Sequence, residues 1–218
     1  MTTVDRPLRK DAERNRQRIL DAAAELFAQR GLGVTLNEIA RHAGVGVGTV
    51  YRRFPDKADL IEGLFEQRVE KIVELADAAL ADPDAWRGLT GFIERGLEMQ
   101  GEDRAFKELV LAGPEGLERV TRIRAQMLPR VTKLVARAQE AGQLRPDVVP
   151  QDLPLIQLMM GTVIDCARDV APDLWRRFLT IYLRGLRADS GPPDALPAPP
   201  ASFDELQQVM AAWEPPRR

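Results

Sequence analysis

The stretch "GVGVGTVYRRFPDK", residues 44–57, decides how the chain is read. Three glycines, Gly44, Gly46 and Gly48, open it, and Pro55 interrupts it. Proline disfavours helical geometry in the residue before it, so the spacing predicts a short helix that ends by Phe54. Val47, Val50, Tyr51 and Phe54 fall on one side of that helix, and Gly48, Thr49, Arg52 and Arg53 on the other. Immediately upstream, Thr35 and Glu38 have the spacing of a capping box, in which hydroxyl and carboxylate each take a free amide. Leu36, Ile39, Ala40 and Ala43 form the apolar face of the helix so opened, and Gly44 suits a left-handed cap. A first helix, about residues 10–30, places Ile19, Ala22, Ala23, Leu26 and Phe27 at helical spacing.

A capped helix, a glycine turn and a second helix make a helix-turn-helix, whose second helix lies in the major groove of DNA. The residue types suit that role. Gly48 lets backbone approach the duplex, Thr49 offers a hydroxyl and a methyl, and Arg52 can give guanine two parallel hydrogen bonds. Val47, the first residue of that helix, is a further candidate for DNA contact. Thr35, Tyr51, Arg53 and Lys57 are candidates for phosphate contacts, which position the helix without reading sequence. Arg6, Arg9, Lys10, Arg14 and Arg16 read as an N-terminal arm along the backbone or minor groove. The competing reading is an ordinary helical hairpin with a solvated basic face.

Charge favours the first reading. Residues 1–57 carry 11 Lys and Arg against 7 Asp and Glu, a net of +4, and the remaining 20 and 26 leave −6. A basic head on an acidic body suits a polyanion.

Residues 15–62, "RILDAAAELFAQRGLGVTLNEIARHAGVGVGTVYRRFPDKADLI" within them, resemble the DNA-binding domain of the TetR family of bacterial transcriptional regulators. The resemblance rests on the Ile19-Leu20-x-Ala22-Ala23 start, Phe27, Thr35, Ile39-Ala40, Ala43-Gly44-Val45, Gly48-Thr49-Val50-Tyr51 and Phe54-Pro55-Asp56-Lys57. Two positions depart from it: Gly46 where serine often caps the recognition helix, and Arg53 where histidine is frequent. The resemblance implies a homodimer, a palindromic double-stranded DNA operator, and a small-molecule effector site in the body.

The body reads as helix almost throughout, at about residues 57–80, 85–100, 103–112, 115–141, 150–170 and 172–187, with Gly113-Pro114 a break and Pro129 a bend. The expected fold is therefore all-α, about nine helices plus a short C-terminal one. Its divisions are a head over 1–57, a ligand-binding and dimerisation domain over 58–189, and a tail over 190–218. The resemblance places the dimer surface on the last two body helices. Their apolar faces fit it: Leu153, Ile156, Met160, Val163, Ile164 and Ala167 on one, Leu174, Trp175, Phe178, Leu179 and Tyr182 on the other, although the same faces could fill a monomer core. For the effector, the expected lining is Trp86, Leu89, Ile93, Leu97, Phe106, Met127 and Val131, which suits a hydrophobic ligand. Arg124 interrupts an apolar stripe and either reaches water past a packed stem or meets a ligand anion. In the tail, the proline-rich 190–202 is an extended linker; Ser202 and Glu205 form a second capping box, and Phe203, Leu206, Met210 and Trp213 form a docking stripe.

One cysteine, Cys166, and one histidine, His42, leave no internal disulfide and no expected metal site or cofactor. The most apolar run, 153–167, holds Gln157 and Asp165 and falls short of the about 20 residues a bilayer span needs. A cytoplasmic protein without a membrane partner is expected. No nucleophile, base and orienting group occur together, so an enzyme or carrier is the weaker alternative to a DNA-binding regulator, whether ligand-responsive or not.

Overall fold

The computed structural model describes residues 5–102, 116–188, 196 and 198–212. Among them the regular elements are helical: α1 (Asp5–Arg30), α2 (Leu36–Ala43), α3 (Val47–Arg53), α4 (Lys57–Ala81), α5 (Ala85–Glu102), α6 (Gly116–Glu140), α7 (Asp152–Ala167), α8 (Leu174–Leu186) and α9 (Phe203–Ala212). A turn of 3-10 helix, Gly31–Gly33, follows α1, and an isolated bridge pairs Leu144 with Arg187. None of the described helices is long and apolar enough to cross a membrane. The helix expected at 103–112 lies outside the described residues. The expected N-terminal arm is part of a helix: α1 begins at Asp5, not near residue 10. The helices expected over 150–170 and 172–187 are shorter, because turns occupy 168–170 and 172–173.

The chain divides into two compact units, Met1–Lys71 with Asp103–Ile123, and Ile72–Glu102 with Arg124–Arg218. The division runs through α4 instead of falling at residue 57. The reason is packing: Leu60, Leu64 and Phe65 of α4 are buried, and a Cβ added at Gly63 would lie 3.0 Å from Phe54 and 3.3 Å from Leu20. The first turns of α4 thus belong to the core of the head.

In the first unit α1 packs on α2, and α2 on α3. Ile19, Leu20, Ala23 and Phe27 of α1 and Ile39 and Ala40 of α2 are buried. The capping box forms: Thr35 Oγ1 accepts from the Glu38 amide at 3.3 Å, and Glu38 Oε2 accepts from the Thr35 amide at 2.9 Å. Such a cap stabilises by about 1 kcal/mol. Gly44 ends α2 at φ 61°, where a side chain would be strained, and its amide donates to the carbonyls of Ala40 and Arg41.

Those contacts, the Thr35 amide foremost, then its hydroxyl and Arg30, hold the Glu38 carboxyl down at about 2 from an ordinary 4.5. Its folded value is depressed, so its contribution is present above 4.5 and disappears as pH falls toward 2. The stability difference between wild type and Glu38→Gln is expected to shrink across that window in urea titrations. A difference independent of pH would contradict the cap's ionic character.

In the second unit α5 packs against α7, and α7 against α8. Leu89, Phe92, Ile93 and Leu97 of α5 are buried, as are Leu134, Val135 and Ala138 of α6. Close approach is reciprocal between α5 and α7. An added Cβ at Gly96 would lie 2.8 Å from Gln157 Nε2, and one at Gly161 would lie 2.3 Å from Gln100 Nε2. Each helix thus seats a glutamine over the other's glycine. The end of α4 is held from two sides. An added Cβ at Gly88 would stand 2.4 Å from the Ala79 carbonyl oxygen. Arg137 of α6 donates to the carbonyls of Ala79, Leu80 and Asp82. Pro129 lies inside α6, where Arg130 donates to the Gln126 carbonyl at 2.9 Å and to Asp77 at 2.8 Å. The one cysteine, Cys166, is exposed on α7.

In the tail, Ser202 Oγ accepts from the Glu205 amide at 3.2 Å, and Glu205 Oε2 accepts from the Ser202 amide at 2.8 Å, so the second capping box forms. Leu206 is 4% exposed and Phe203 is on the surface. The Met210 side chain and Trp213 lie outside the described residues.

Candidate nucleic-acid interface

α3 is anchored by two side chains, Val50 and Phe54, both buried. Of its six contact candidates, Val47, Gly48, Tyr51, Arg52 and Arg53 are exposed and Thr49 is half-buried. Val47 and Tyr51, 45% and 46% exposed, do not share the buried side with Val50 and Phe54 as their spacing suggests, because seven residues bury only the centre of the strip. Gly48 is open, and a Cβ there would meet nothing within 4 Å. Arg52 Nη2 lies 3.5 Å from Thr49 Oγ1, and among the described residues it has no carboxylate partner. Arg53 is exposed, with Nη2 3.6 Å from Glu13 Oε2. Thr49, Arg52 and Arg53 together with Val47 and Tyr51 therefore form one basic and hydroxylated surface.

Two expected phosphate contacts are engaged elsewhere. Thr35 gives its hydroxyl proton to Glu38 Oε2 at 2.8 Å, leaving none for a phosphate. Lys57 is half-buried, donates to the Leu32 carbonyl and stands 5.6 Å from the Phe27 ring centre, so it ties α4 to the end of α1. Arg14 pairs with Asp11 at 3.0 Å, and Arg16 lies 3.8 Å from Glu66. The side chains of Arg6, Arg9 and Lys10 lie outside the described residues. His42 is exposed, with Nε2 2.8 Å from Glu25. Sequence reasoning missed Arg18. Its Nη2 donates to the carbonyls of Ala43 at 2.7 Å and Gly44 at 3.2 Å, 25 and 26 residues away, a separation that carries no local spacing signal.

The expected effector lining is packed. Leu89, Ile93, Leu97 and Met127 are buried, and Trp86 and Val131 are half-buried. Trp86 is covered by Arg187, 4.8 Å from its ring centre, and its amide donates to Gln143. Phe106 and the Arg124 side chain lie outside the described residues. A cleft of about 190 Å3 opens elsewhere, lined by Leu97, Glu98 and Gly101 of α5, Ile164 of α7, Arg168, Pro172, and Trp175 and Arg176 of α8. Only Leu97 is common to both sets. Arg176 is held by Glu94 and Glu98, each at 2.7 Å. Arg168 lies 3.5 Å from Asp165.

The two faces expected to pair protomers divide by burial. Leu153, Ile156, Met160 and Ile164 of α7 and Trp175 and Leu179 of α8 are buried within the single chain. They fill the core of the single chain, the alternative their apolar faces left open, and are not exposed for pairing. Exposed are Met159 and Cys166 of α7 with half-buried Val163 beside them, and Leu174, Phe178 and Ile181 of α8. Both sets recur at i, i+4 and i+7, one stripe per helix. Tyr182 is half-buried, and burial foremost, with the Asp152 charge, pushes its phenol up.

A capped helix, a left-handed turn and a short basic helix, in a chain whose described regular elements are helical, define a helix-turn-helix DNA-binding regulator. Residues 19–64 match the family model for bacterial regulatory proteins of the tetR family, and residues 83–188 match that for the SbtR-like transcriptional regulator C-terminal domain. A solved TetR transcription regulatory protein from Mycobacterium vanbaalenii is 34% identical over 83% of this chain and 99% of its own, with a TM-score of 0.67. The chain belongs to the TetR family of transcriptional regulators. NalD of Pseudomonas aeruginosa, the secondary repressor of the MexAB-OprM multidrug efflux pump, is 26% identical over 83% of this chain and 100% of its own, with a TM-score of 0.57. An HTH-type transcriptional regulator of Staphylococcus aureus is 50% identical over 54 residues, 24% of this chain. The chain spans 29% of the length of that curated relative.

Proposed function

We propose that the protein is a homodimeric repressor that binds a palindromic operator through α3 and is released by a small, largely hydrophobic effector. The observation that carries the DNA reading is the outward set Thr49, Arg52 and Arg53 on a helix pinned by Val50 and Phe54. Arg52, without a carboxylate partner among the described residues, reads a base; Arg53 holds a phosphate. Arg52→Ala is expected to weaken selected DNA by about 1–3 kcal/mol and to relax preference at one position per half-site. Arg53→Ala is expected to weaken all sequences alike and to lower the salt slope by about one. Anisotropy titrations over a salt series check both, and equal loss of discrimination in the two variants would contradict the assignment.

The exposed apolar stripes of α7 and α8 support pairing of two protomers through them, and repression by NalD supports the direction of control. The α5–α7–α8 cleft is the effector site in this reading. Leu97, Ile164 and Trp175 give it an apolar floor, and Arg168 at its rim suits an acidic group. An engineered cavity of roughly 150 Å3 holds one benzene ring, so a ligand of about ring size matches this volume. Linkage requires operator and effector to weaken each other equally. Small aromatic carboxylates are expected to raise the melting temperature of wild type but not of Arg168→Ala, and to bind more weakly when operator is saturating. A shift of equal size in the variant, or affinities indifferent to DNA, would remove the cleft from the mechanism.

A further inference from the structure

We propose that Arg18 is a positioning residue for DNA reading: from α1 its guanidinium fixes the turn between α2 and α3 and so sets the stance of α3 in the groove. This rests on the reading of α3 as the recognition element.

The turn carries leftover carbonyls. Gly44 and Val45 amides use the Ala40 carbonyl, and Gly44 also reaches that of Arg41. The carbonyls of Ala43 and Gly44 are the ones Arg18 takes. A cation is favoured at a helix C-terminus, where the last carbonyls have no partner in the ladder. The fit is close, since a Cβ added at Gly44 would lie 3.1 Å from Arg18 Nη2.

α3 starts three residues after Gly44 and has weak means of holding its own beginning. It is seven residues long, below the roughly 12–15 at which an isolated helix becomes even marginal. Its N-cap is Gly46, which supplies no side-chain hydrogen bond. The first turn hangs on the Gly46 carbonyl, which accepts from Thr49 at 2.8 Å and Val50 at 3.3 Å. The far end is pinned by buried Phe54. Placement of the near end, where Val47, Gly48 and Thr49 stand, therefore follows placement of the turn, and Arg18 is the side chain that holds the turn from outside it.

Arg18→Met keeps the stem and removes the donors. The probes are a duplex selected by the wild-type protein from a random-sequence pool and an unselected duplex of the same length. The expected result is about tenfold weaker binding to the selected duplex, the equivalent of one charge-assisted hydrogen bond, with an unchanged salt slope and unchanged binding to the unselected duplex. Adding Gly46→Ser is expected to restore discrimination, because serine caps the start of α3 directly. Serine fits there: φ is −64°, and the new Cβ would meet only Thr49 Oγ1 at 3.7 Å. Should Arg18→Met fail to fold, Arg18→Lys is measured in its place, with a smaller loss and the same rescue expected.

Parallel losses on both duplexes with a salt slope lower by about one would make Arg18 a phosphate contact and overturn the proposal. A lowered melting temperature with unchanged affinity per folded molecule would also overturn it, as would failure of Gly46→Ser to rescue. Arg52→Ala separates the two levels. If it leaves discrimination intact, the reading of α3 fails; if it abolishes discrimination while Arg18→Met does not, only the assignment to Arg18 fails.

Discussion

Replacing Phe178 by aspartate is expected to leave the protein monomeric and to weaken binding to a two-half-site duplex by on the order of 100-fold, the loss of linked binding. Phe178 is 44% exposed and stands between Leu174 and Ile181 on the outward stripe of α8. A second copy would cover these side chains, and an unpaired carboxylate buried in such a face costs far more than one phenylalanine contributes. Half-sites lie about 34–36 Å apart, so one protomer reads only one of them. Binding to a single half-site is expected to survive, which separates lost pairing from lost folding. Leu179→Asp is the contrasting control: that side chain is 3% exposed, so the charge should unfold the chain instead. Sedimentation equilibrium beside anisotropy on one- and two-site duplexes decides the matter. A dimeric Phe178→Asp, or a monomeric one with undiminished two-site affinity, would refute this pairing surface.

Gly88→Ala is expected to destabilise the fold by about 3 kcal/mol, at the upper end of overpacking. Helix propensity alone gives the opposite sign, since alanine outranks glycine by about 1 kcal/mol in a helix interior. Sterics win because the added Cβ would sit 2.4 Å from a backbone oxygen, that of Ala79, on a helix end already fixed by Arg137. Neither side has a rotamer to give. Gly161→Ala looks worse by distance, at 2.3 Å, yet its neighbour is the tip of the Gln100 side chain, which can swing away. Its expected effect is within about 1 kcal/mol of zero, propensity offsetting the displaced contact. Urea denaturation of both variants tests the contrast. Similar losses would mean that α5 and α7 hold Gln100 as firmly as backbone.

What the sequence made legible was local. Thr35 and Glu38, and Ser202 and Glu205, are three residues apart, so both partners of each cap stand in one short window. Gly44 and Pro55 mark their turns by their own backbone chemistry. The partner of Lys57, the Leu32 carbonyl, is 25 residues away and is brought near only by the packed head. Arg18 was passed over for the same reason. The wide apolar faces of α7 and α8 were recognisable, but core and interface attract the same side chains. Only the angle around the helix separates Trp175 and Leu179 from Leu174, Phe178 and Ile181, and that angle is fixed by how α8 packs on α7. The cleft brings residues of α5 against residues of α7 and α8 that lie more than 60 positions further along the chain, so no window of sequence could outline it.

The single cysteine also gives the chain a built-in chemical reporter. Cys166 is exposed in the single chain and is the third member of the α7 stripe through which the proposed dimer pairs. Pairing would cover its thiol, so alkylation by a maleimide is expected to be slow in the dimer. In the Phe178→Asp protein the same thiol should react at the rate of an exposed one. With operator or effector added, a change in that rate would report directly on rearrangement at the pairing surface, independently of any binding curve.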